Sequence, residues 1–144
     1  MPPREDNRAV VRRLFEAVNS CDDASLDELV TPDCEIIGPA GAGRGPAVYR
    51  QVFGLLRAAF PDVHVIIEEM LEAEGDRIIV RTRTSGTHRG VFMGIAPSNK
   101  PVSWPGVNFL QVRDGRIASS WGLQDRLAAL EHIGMLPTPM VSND

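Results

Sequence analysis

The stretch VHVIIEEMLEAEGDRIIVRTRTSGTH, residues 63–88, carries the clearest structural signal in the chain. Apolar and polar side chains largely alternate in its two halves, 63–72 and 77–88, and a period of two is typical of β-strands with one buried face. The residues between the halves include Glu74, Gly75 and Asp76. This turn composition predicts a β-hairpin.

The rest of the C-terminal half repeats the pattern. A second hairpin is predicted from residues 101–112 and 116–121, which an Asp-Gly pair separates. A short segment around 91–94 and a proline-containing turn connect the two hairpins. A closing helix is predicted at 124–133, where a glycine follows the last apolar position.

The N-terminal half is helical in character. Residues 5–20 place apolar side chains at helical spacing, with arginines and a glutamate on the other side, which predicts an amphipathic helix. Ser25 followed by Glu28 fits a capping box at the start of a short second helix, and Pro32 is expected to end that helix.

A glycine-rich loop, GPAGAGRGP at 38–46, lies between a brief predicted strand at 34–38 and a third helix. Strand, glycines and helix in this order resemble a phosphate-binding loop. However, the loop has no GK[ST], and Pro46 replaces the last glycine of a GxGxxG register that begins at Gly41. We interpret the loop as a connector or as the mobile lip of a pocket.

Helices followed by a run of antiparallel strands are typical of an α+β domain. We expect the helices to pack on one face of a strongly curved, mostly antiparallel sheet and to enclose a conical cavity with it. A cavity between such layers is a common ligand site. The 144 residues are predicted to form a single domain, with a core from about 5 to 134 and short tails.

Composition excludes several functions. The net charge of −4, with no cluster of basic residues, argues against nucleic acid as a partner. The N-terminal residues lack the apolar segment of a signal peptide, and no apolar run is long enough to span a bilayer, so we expect a cytoplasmic protein without a membrane partner. Cys21 and Cys34 have neither CxxC spacing nor nearby histidines, so no metal site is expected.

Four motifs carry a resemblance to a known family. They are FPD at 60–62, GTHRGVFMGIAPSNKPV at 86–102, VRDGRI at 112–117, and a Trp121-x-x-x-Asp125 pattern followed by Ile133 and Gly134. Together they resemble the SnoaL-like polyketide cyclases of the nuclear transport factor two-like superfamily. The resemblance covers nearly the whole chain and implies a cone-shaped α+β barrel.

The resemblance implies an intramolecular aldol ring closure that needs no cofactor. The expected substrate is a small, hydrophobic, aromatic or polyketone molecule. In the cyclase branch, an acid/base aspartate directly follows the tryptophan-like position, and here that position is Gly122. A glutamine and a histidine of the preceding strand correspond to Gly106 and Asn108. The usual acid/base groups are therefore missing from one wall of the expected cavity.

His88 and Asp125 are the remaining catalytic candidates. Histidine titrates nearest to neutral pH, and His88 ends a strand that is expected to border the cavity. A structural histidine that holds the turn before Gly90 is the alternative. Asp125 could reach the cavity mouth from the start of the last helix, or it could cap that helix.

Strand alternation predicts which side chains of the last hairpin face the cavity. These are Trp104, Gly106, Asn108 and Leu110 on one strand, and Ala118, Ser120 and Gly122 on the next. The predicted substrate-binding residues are Tyr49, Phe53, Phe60, Met70, Phe92, Met93, Trp104, Asn108 and Ser120. Asn108 could donate a hydrogen bond to a substrate carbonyl. The alternative is that most of the apolar members simply fill the core.

Two kinds of function remain open from the sequence. One is a cofactor-independent tailoring enzyme of polyketide or related secondary metabolism, acting by ring closure or by altered chemistry such as ring hydroxylation. The other is a non-catalytic domain of the same fold that binds a small hydrophobic ligand or serves as an assembly module. Val107, Phe109 and Trp121 alternate to the outer face of the sheet, which predicts a homodimer.

Overall fold

The computed structural model describes residues 6–39 and 41–135. The N-terminal elements are helices α1 (Asn7–Ser20) and α2 (Asp23–Leu29), strands β1 (Val30–Gly38) and β2 (Gly41–Arg44), and helix α3 (Pro46–Ala59). The C-terminal elements are strands β3 (His64–Ala73), β4 (Arg77–Thr87), β5 (Pro101–Arg113) and β6 (Arg116–Gln124), and helix α4 (Arg126–Ile133). The predicted start of the first helix at residue 5 and most of both predicted tails lie outside the described residues.

The six strands form one sheet in the order β2-β1-β6-β5-β4-β3. Neighbouring strands are antiparallel except for β1 and β6, which are parallel. The strand register shifts within β1, β3 and β6. Because β-bulges bend a strand and increase its twist, these shifts favour a curled sheet. The α+β class and the mostly antiparallel sheet are confirmed.

The shift in β6 changes which residues face inward. Val112 pairs with Ile117, and Gln111 pairs with Ser119, so Ala118 is the bulged residue. Ile117 is fully buried, whereas Ala118 is only partly buried. The predicted inward position of Ala118 is therefore wrong, because strict alternation does not continue through a bulge.

Two groups of buried apolar side chains hold the layers together. The larger group lies between the sheet and helices α1 and α2, and includes Leu14, Leu26 and Ile78. The smaller group surrounds Phe60 and includes residues of α4. The edge of β3 is protected by Asn19 of α1, whose amide donates to the Val65 carbonyl at 2.8 Å and accepts from the Val65 N–H at 2.9 Å.

Four predictions about where elements begin and end are wrong. Asp22 caps α2, because its carboxylate accepts the Ser25 N–H at 3.1 Å, so the predicted Ser25–Glu28 capping box does not start this helix. The helix ends at Leu29, and Pro32 lies within β1. The glycine-rich loop contains strand β2, and the closing helix begins after Gln124, which belongs to β6.

None of the helices within residues 6–39 and 41–135 is long and apolar enough to cross a membrane.

Candidate ligand cavity

A cavity of about 320 Å³ lies between the inner face of the sheet and helices α1 and α3. Its volume falls within the range of small-molecule sites. Apolar side chains form most of its wall. Seven predicted substrate-binding residues line it, namely Tyr49, Phe53, Phe92, Met93, Trp104, Asn108 and Ser120. Phe60, Met70, His88 and Asp125 are not among the lining residues.

The polar part of the wall comes from the central strands and from α3. Thr82 and Thr84 contribute from β4, Asn108 from β5 and Ser120 from β6. Tyr49 of α3 also lines the cavity, and its hydroxyl is buried without a hydrogen-bond partner among the described residues. Amide and hydroxyl groups in a mostly apolar wall can orient a ligand through its carbonyl oxygens.

Burial controls the ionisation of Tyr49. The loss of hydration raises the pKa of the Tyr49 phenol, and the nearby Ser120 hydroxyl opposes this effect only in part. The two hydroxyls are close enough to interact but do not form a hydrogen bond. Tyr49 is therefore a neutral hydroxyl at physiological pH and is available to donate a hydrogen bond.

On the neighbouring strands β5 and β6, a residue with an amide side chain lies opposite a glycine at two positions. Asn108 pairs with Gly122, and Gly106 pairs with Gln124. A Cβ atom at Gly122 would lie 2.5 Å from Asn108 Nδ2, and a Cβ atom at Gly106 would overlap the Gln124 amide. Each amide thus occupies the space that the opposite glycine leaves free.

Gln124 is a cavity residue that sequence reasoning missed. Its Oε1 accepts a hydrogen bond from Trp104 Nε1 at 3.0 Å, and its side chain lines the cavity. The prediction placed Gln124 in the last helix. Continuing the alternation of Ser120 and Gly122 by one more step would have found it.

His88 is fully buried and holds the connection between β4 and β5. Its Nδ1 accepts the Ser98 N–H at 3.2 Å and lies 2.9 Å from Ser98 Oγ, so the proton of the neutral ring is on Nε2. Nε2 has no hydrogen-bond partner among the described residues. The ring packs beside Phe60 and Phe92, at centroid distances of 5.8 and 6.4 Å. These contacts describe a histidine that orders the turn, outside the cavity lining.

Asp125 is the N-cap of α4. Its carboxylate accepts the Ala128 N–H at 2.9 Å, and the side chain is exposed. The residues on either side of it in sequence, Gln124 and Arg126, line the cavity, but Asp125 does not. The acid is therefore engaged in stabilising the first turn of the helix.

Phe60 and Met70 support the cavity wall from outside it. Phe60 is fully buried, with ring centroids 5.0 Å from Phe92 and 5.3 Å from Trp104, which both line the cavity. Met70 packs against the main core. Both positions fix lining side chains by packing.

The cavity mouth combines exposed apolar side chains with one cation. Leu55, Val91 and Met93 line the cavity and remain largely exposed to solvent. Arg126 is the single charged residue among the described lining residues. Since this lining contains no aspartate, glutamate or histidine, it can bind, orient and polarise a ligand through hydroxyl, amide and guanidinium donors.

The fold and cavity define the class of this protein as the cone-shaped α+β domains of nuclear transport factor two-like type, in which helices close a curled sheet over a hollow. The family model of the SnoaL-like polyketide cyclases matches residues 8–133. The chain belongs to this family.

Several relatives share most of the chain. It is 26% identical to the nogalonic acid methyl ester cyclase of Streptomyces nogalater over 125 residues, which are 84% of this chain and 92% of the relative. IdmH of Streptomyces antibioticus, a candidate polyketide cyclase, superposes with a TM-score of 0.82 and 31% identity, over 90% of this chain and 99% of IdmH. AclR of Streptomyces galilaeus, a candidate hydroxylase, gives a TM-score of 0.80 and 26% identity, over 96% and 91% of the two chains.

Proposed function

We propose that this protein catalyses ring closure of a small, flat, polyketone-like substrate by intramolecular aldol addition, without a cofactor. The observation that carries the proposal is the apolar cavity of about 320 Å³ with amides and hydroxyls on one wall. Such a cavity suits a hydrophobic ring system that carries carbonyl oxygens. The relative named as a nogalonic acid methyl ester cyclase supports the same chemistry.

The reaction joins two carbons of one molecule. A C–H between two carbonyls loses its proton, the enolate carbon attacks a second carbonyl, and the new alkoxide takes up a proton, so no atom is lost overall. Holding both ends of the substrate in one apolar cavity makes the attack effectively unimolecular. We assign substrate folding to the aromatic walls, which include Phe53, Phe92 and Trp104.

The polar wall would stabilise the developing charge. Asn108 and Ser120 both line the cavity, and in this proposal the amide NH2 of Asn108 and the hydroxyl of Ser120 would donate hydrogen bonds to an enolate oxygen. Tyr49, kept neutral by burial, would donate to the alkoxide. The described lining holds no carboxylate or imidazole. We therefore assign removal of the first proton to a water molecule in the cavity, which is sufficient because a C–H between two carbonyls is acidic.

A second assignment keeps His88 or Asp125 as the base. It requires a movement of the β4–β5 connection or of α4, because both side chains are held outside the lining by the contacts described above. Turnover by the His88→Ala and Asp125→Ala variants separates the two assignments. Under the first assignment, each variant keeps its kcat as long as it stays folded.

The test is turnover of nogalonic acid methyl ester, followed by liquid chromatography and mass spectrometry. Ring closure gives an isomer of unchanged mass. Ser120→Ala and Asn108→Ala are expected to lower kcat by at least about tenfold each, because each removes one hydrogen-bond donor that stabilises developing charge. Ser119→Ala, one residue away on the outer face, is the matched control and should keep full activity. Equal rates for all four proteins would refute the assigned wall.

A non-catalytic, ligand-binding function is the second candidate. The lack of aspartate, glutamate and histidine from the described lining favours it. Binding of the same compound without any conversion would support this candidate and exclude cyclisation of that substrate. Hydroxylation, suggested by the name of AclR, would instead give a product with one added oxygen atom.

We also infer that two copies associate through the outer face of the sheet, and that the protein resides in the cytoplasm. Phe109 and Trp121 support the first inference, since they form an exposed aromatic pair on that face. The free thiols of Cys21 and Cys34 are consistent with a reducing compartment.

A further inference from the structure

Arg126 is the only charged residue among the described residues that line the cavity. It is the first residue of α4, and its side chain is partly buried. It forms no ion pair and no hydrogen bond through its side chain with any other described residue. The fold therefore holds a cation beside an apolar cavity, without a partner for it in the described part of the chain.

Several other arginines in the described part of the chain are paired. Arg8 bonds Glu72 at 3.0 Å, and Arg50 bonds Asp27 at 2.5 Å. The acid next to Arg126 in sequence, Asp125, accepts the Ala128 N–H and forms no ion pair with Arg126. The charge of Arg126 thus has no structural use in the described part of the chain.

The position of Arg126 is also an unfavourable one for a cation. The first turn of a helix carries a partial positive charge from its free N–H groups, which repels a basic side chain. Partial burial against apolar side chains removes some of the hydration that would stabilise the guanidinium. A residue that costs stability on both counts is expected to contribute to ligand recognition.

Gln124 completes the arrangement. Its Oε1 is occupied by the Trp104 indole N–H, while its Nε2 makes no hydrogen bond with a described residue. Gln124 and Arg126 lie two residues apart in sequence and both line the cavity, so the residues of its wall include one amide and one guanidinium side chain. Both groups are donors only, and together they match an anionic oxygen group.

We propose that Arg126 and the Gln124 amide bind an anionic oxygen group, a carboxylate or an ionised enol, of the aromatic ligand whose apolar body fills the cavity. This specificity rests on the proposed small-molecule site. The net charge of the protein is −4, so the overall field does not attract anions, and the preference depends on this local pair.

Two fluorescent probes with the same arylamine skeleton test the proposal. 8-Anilinonaphthalene-1-sulfonate carries one sulfonate, and N-phenyl-1-naphthylamine carries no charge. Dissociation constants of both are measured by titration at low salt with the full chain. Arg126→Gln is expected to weaken sulfonate-probe binding by about tenfold, as for loss of a charged hydrogen-bond donor. The same change should alter binding of the neutral probe by less than about twofold.

Matched variants separate a local effect from a general one. Arg12→Gln removes the same charge from the exposed face of α1 and should leave both dissociation constants unchanged. Arg126→Lys should keep part of the preference, because it retains the charge but loses the planar fork. Arg126→Gln is expected to unfold at the temperature of the parent or slightly above it, since Arg126 has no partner to lose among the described residues and its position at the helix N-terminus is unfavourable for a cation.

The outcomes distinguish this inference from the proposed function. If both probes bind the parent protein and Arg126→Gln weakens them equally, or no more than Arg12→Gln does, the anion specificity is wrong while the ligand cavity stands. If neither probe binds the parent protein, the proposed ligand site and its proposed anion specificity are both wrong. The proposal is supported if Arg126→Gln weakens binding of the sulfonate probe alone and if added salt weakens binding of that probe to the parent protein.

Discussion

The Asn108 side-chain amide fills the space beside Gly122 on the neighbouring strand, where a Cβ atom would lie 2.5 Å from Asn108 Nδ2. The two residues are direct partners across β5 and β6. The family resemblance implies an aspartate at position 122. In this chain the polar group comes from the opposite strand and is an amide, so this wall can donate a hydrogen bond but cannot carry a negative charge.

This relationship predicts a strong coupling between the two positions. Gly122→Ala should lower the free energy of unfolding by about 1 kcal/mol, because the new methyl displaces the Asn108 amide. In an Asn108→Ala background, the same change should be neutral or stabilising, because the space is free. Chemical denaturation of the four proteins of this cycle gives the coupling energy. Additive effects would show that the amide does not occupy this space.

Gly90 is predicted to be intolerant of any side chain. A Cβ atom there would overlap the carbonyl oxygen of Ala58, in the last turn of α3, and backbone atoms cannot move aside as a flexible side chain can. Gly90→Ala should lower the free energy of unfolding by about 3 kcal/mol. The control is Gly54→Ala, at an exposed position within α3 with no atom within 4 Å, which should raise it by about 1 kcal/mol. Similar effects of the two changes would contradict this packing.

The hydrogen bonds between Asp62 and Thr87 are expected to make part of the unfolding free energy depend on pH. The backbone N–H and then the hydroxyl of Thr87, at 2.6 and 2.8 Å, hold the pKa of Asp62 below its usual range. Since the folded-state pKa is lowered, the stabilising effect is fully present above about pH 4 and is lost as the pH falls through the folded-state value. Its size at pH 7 should be no more than about 1 kcal/mol, because the exposed carboxylate is screened by water.

Unfolding of the parent and Asp62→Asn proteins at several pH values measures this effect. The difference in unfolding free energy should be largest at neutral pH and shrink below about pH 4. Thr87→Val removes the hydroxyl donor but keeps the backbone donor, so it should show a smaller pH-dependent loss. A difference that is constant with pH would mean that Asp62 stabilises the fold by some other contact.

The outer face of the sheet predicts the oligomeric state. Phe109 and Trp121 are each 42% exposed, with ring centroids 5.5 Å apart. Sedimentation is expected to show a dimer that Trp121→Ser weakens by about tenfold or more in dissociation constant, because buried tryptophans dominate interfaces. Leu127→Ser, which removes an exposed apolar side chain of α4, is the control and should not change it. A monomeric parent protein at all concentrations would exclude the dimer.

Local patterns were sufficient for most of the fold. The period of two between residues 63 and 88 predicted the β3–β4 hairpin, and the helical period near the N-terminus predicted α1, because each pattern depends only on neighbouring residues. The predictions that failed depend on longer-range structure. Strand β2 is visible only through its pairing with β1, and the bulge at Ala118 is visible only through its register with β5.

The candidate site was partly visible in the sequence. Alternation along β5 correctly placed Trp104 and Asn108 at the cavity, since both lie on a regular stretch of strand. It could not show that Gln124 and Arg126 reach the same cavity, because they lie where a strand passes into a helix and the period changes. The catalytic roles of His88 and Asp125 remain predictions that the variants described above test.

The amino-acid order alone determined the class of fold, the family and the absence of a carboxylate at position 122, since all three are properties of local pattern and residue identity. Only the tertiary structure decided which polar groups share the cavity. Tyr49 on α3, Ser120 on β6 and Arg126 on α4 line the same cavity because the sheet curls and the helices close over it. Nothing in the sequence between these residues predicts that they lie close together. Periodicity reports which side of an element is buried, whereas packing between elements determines what each buried side faces.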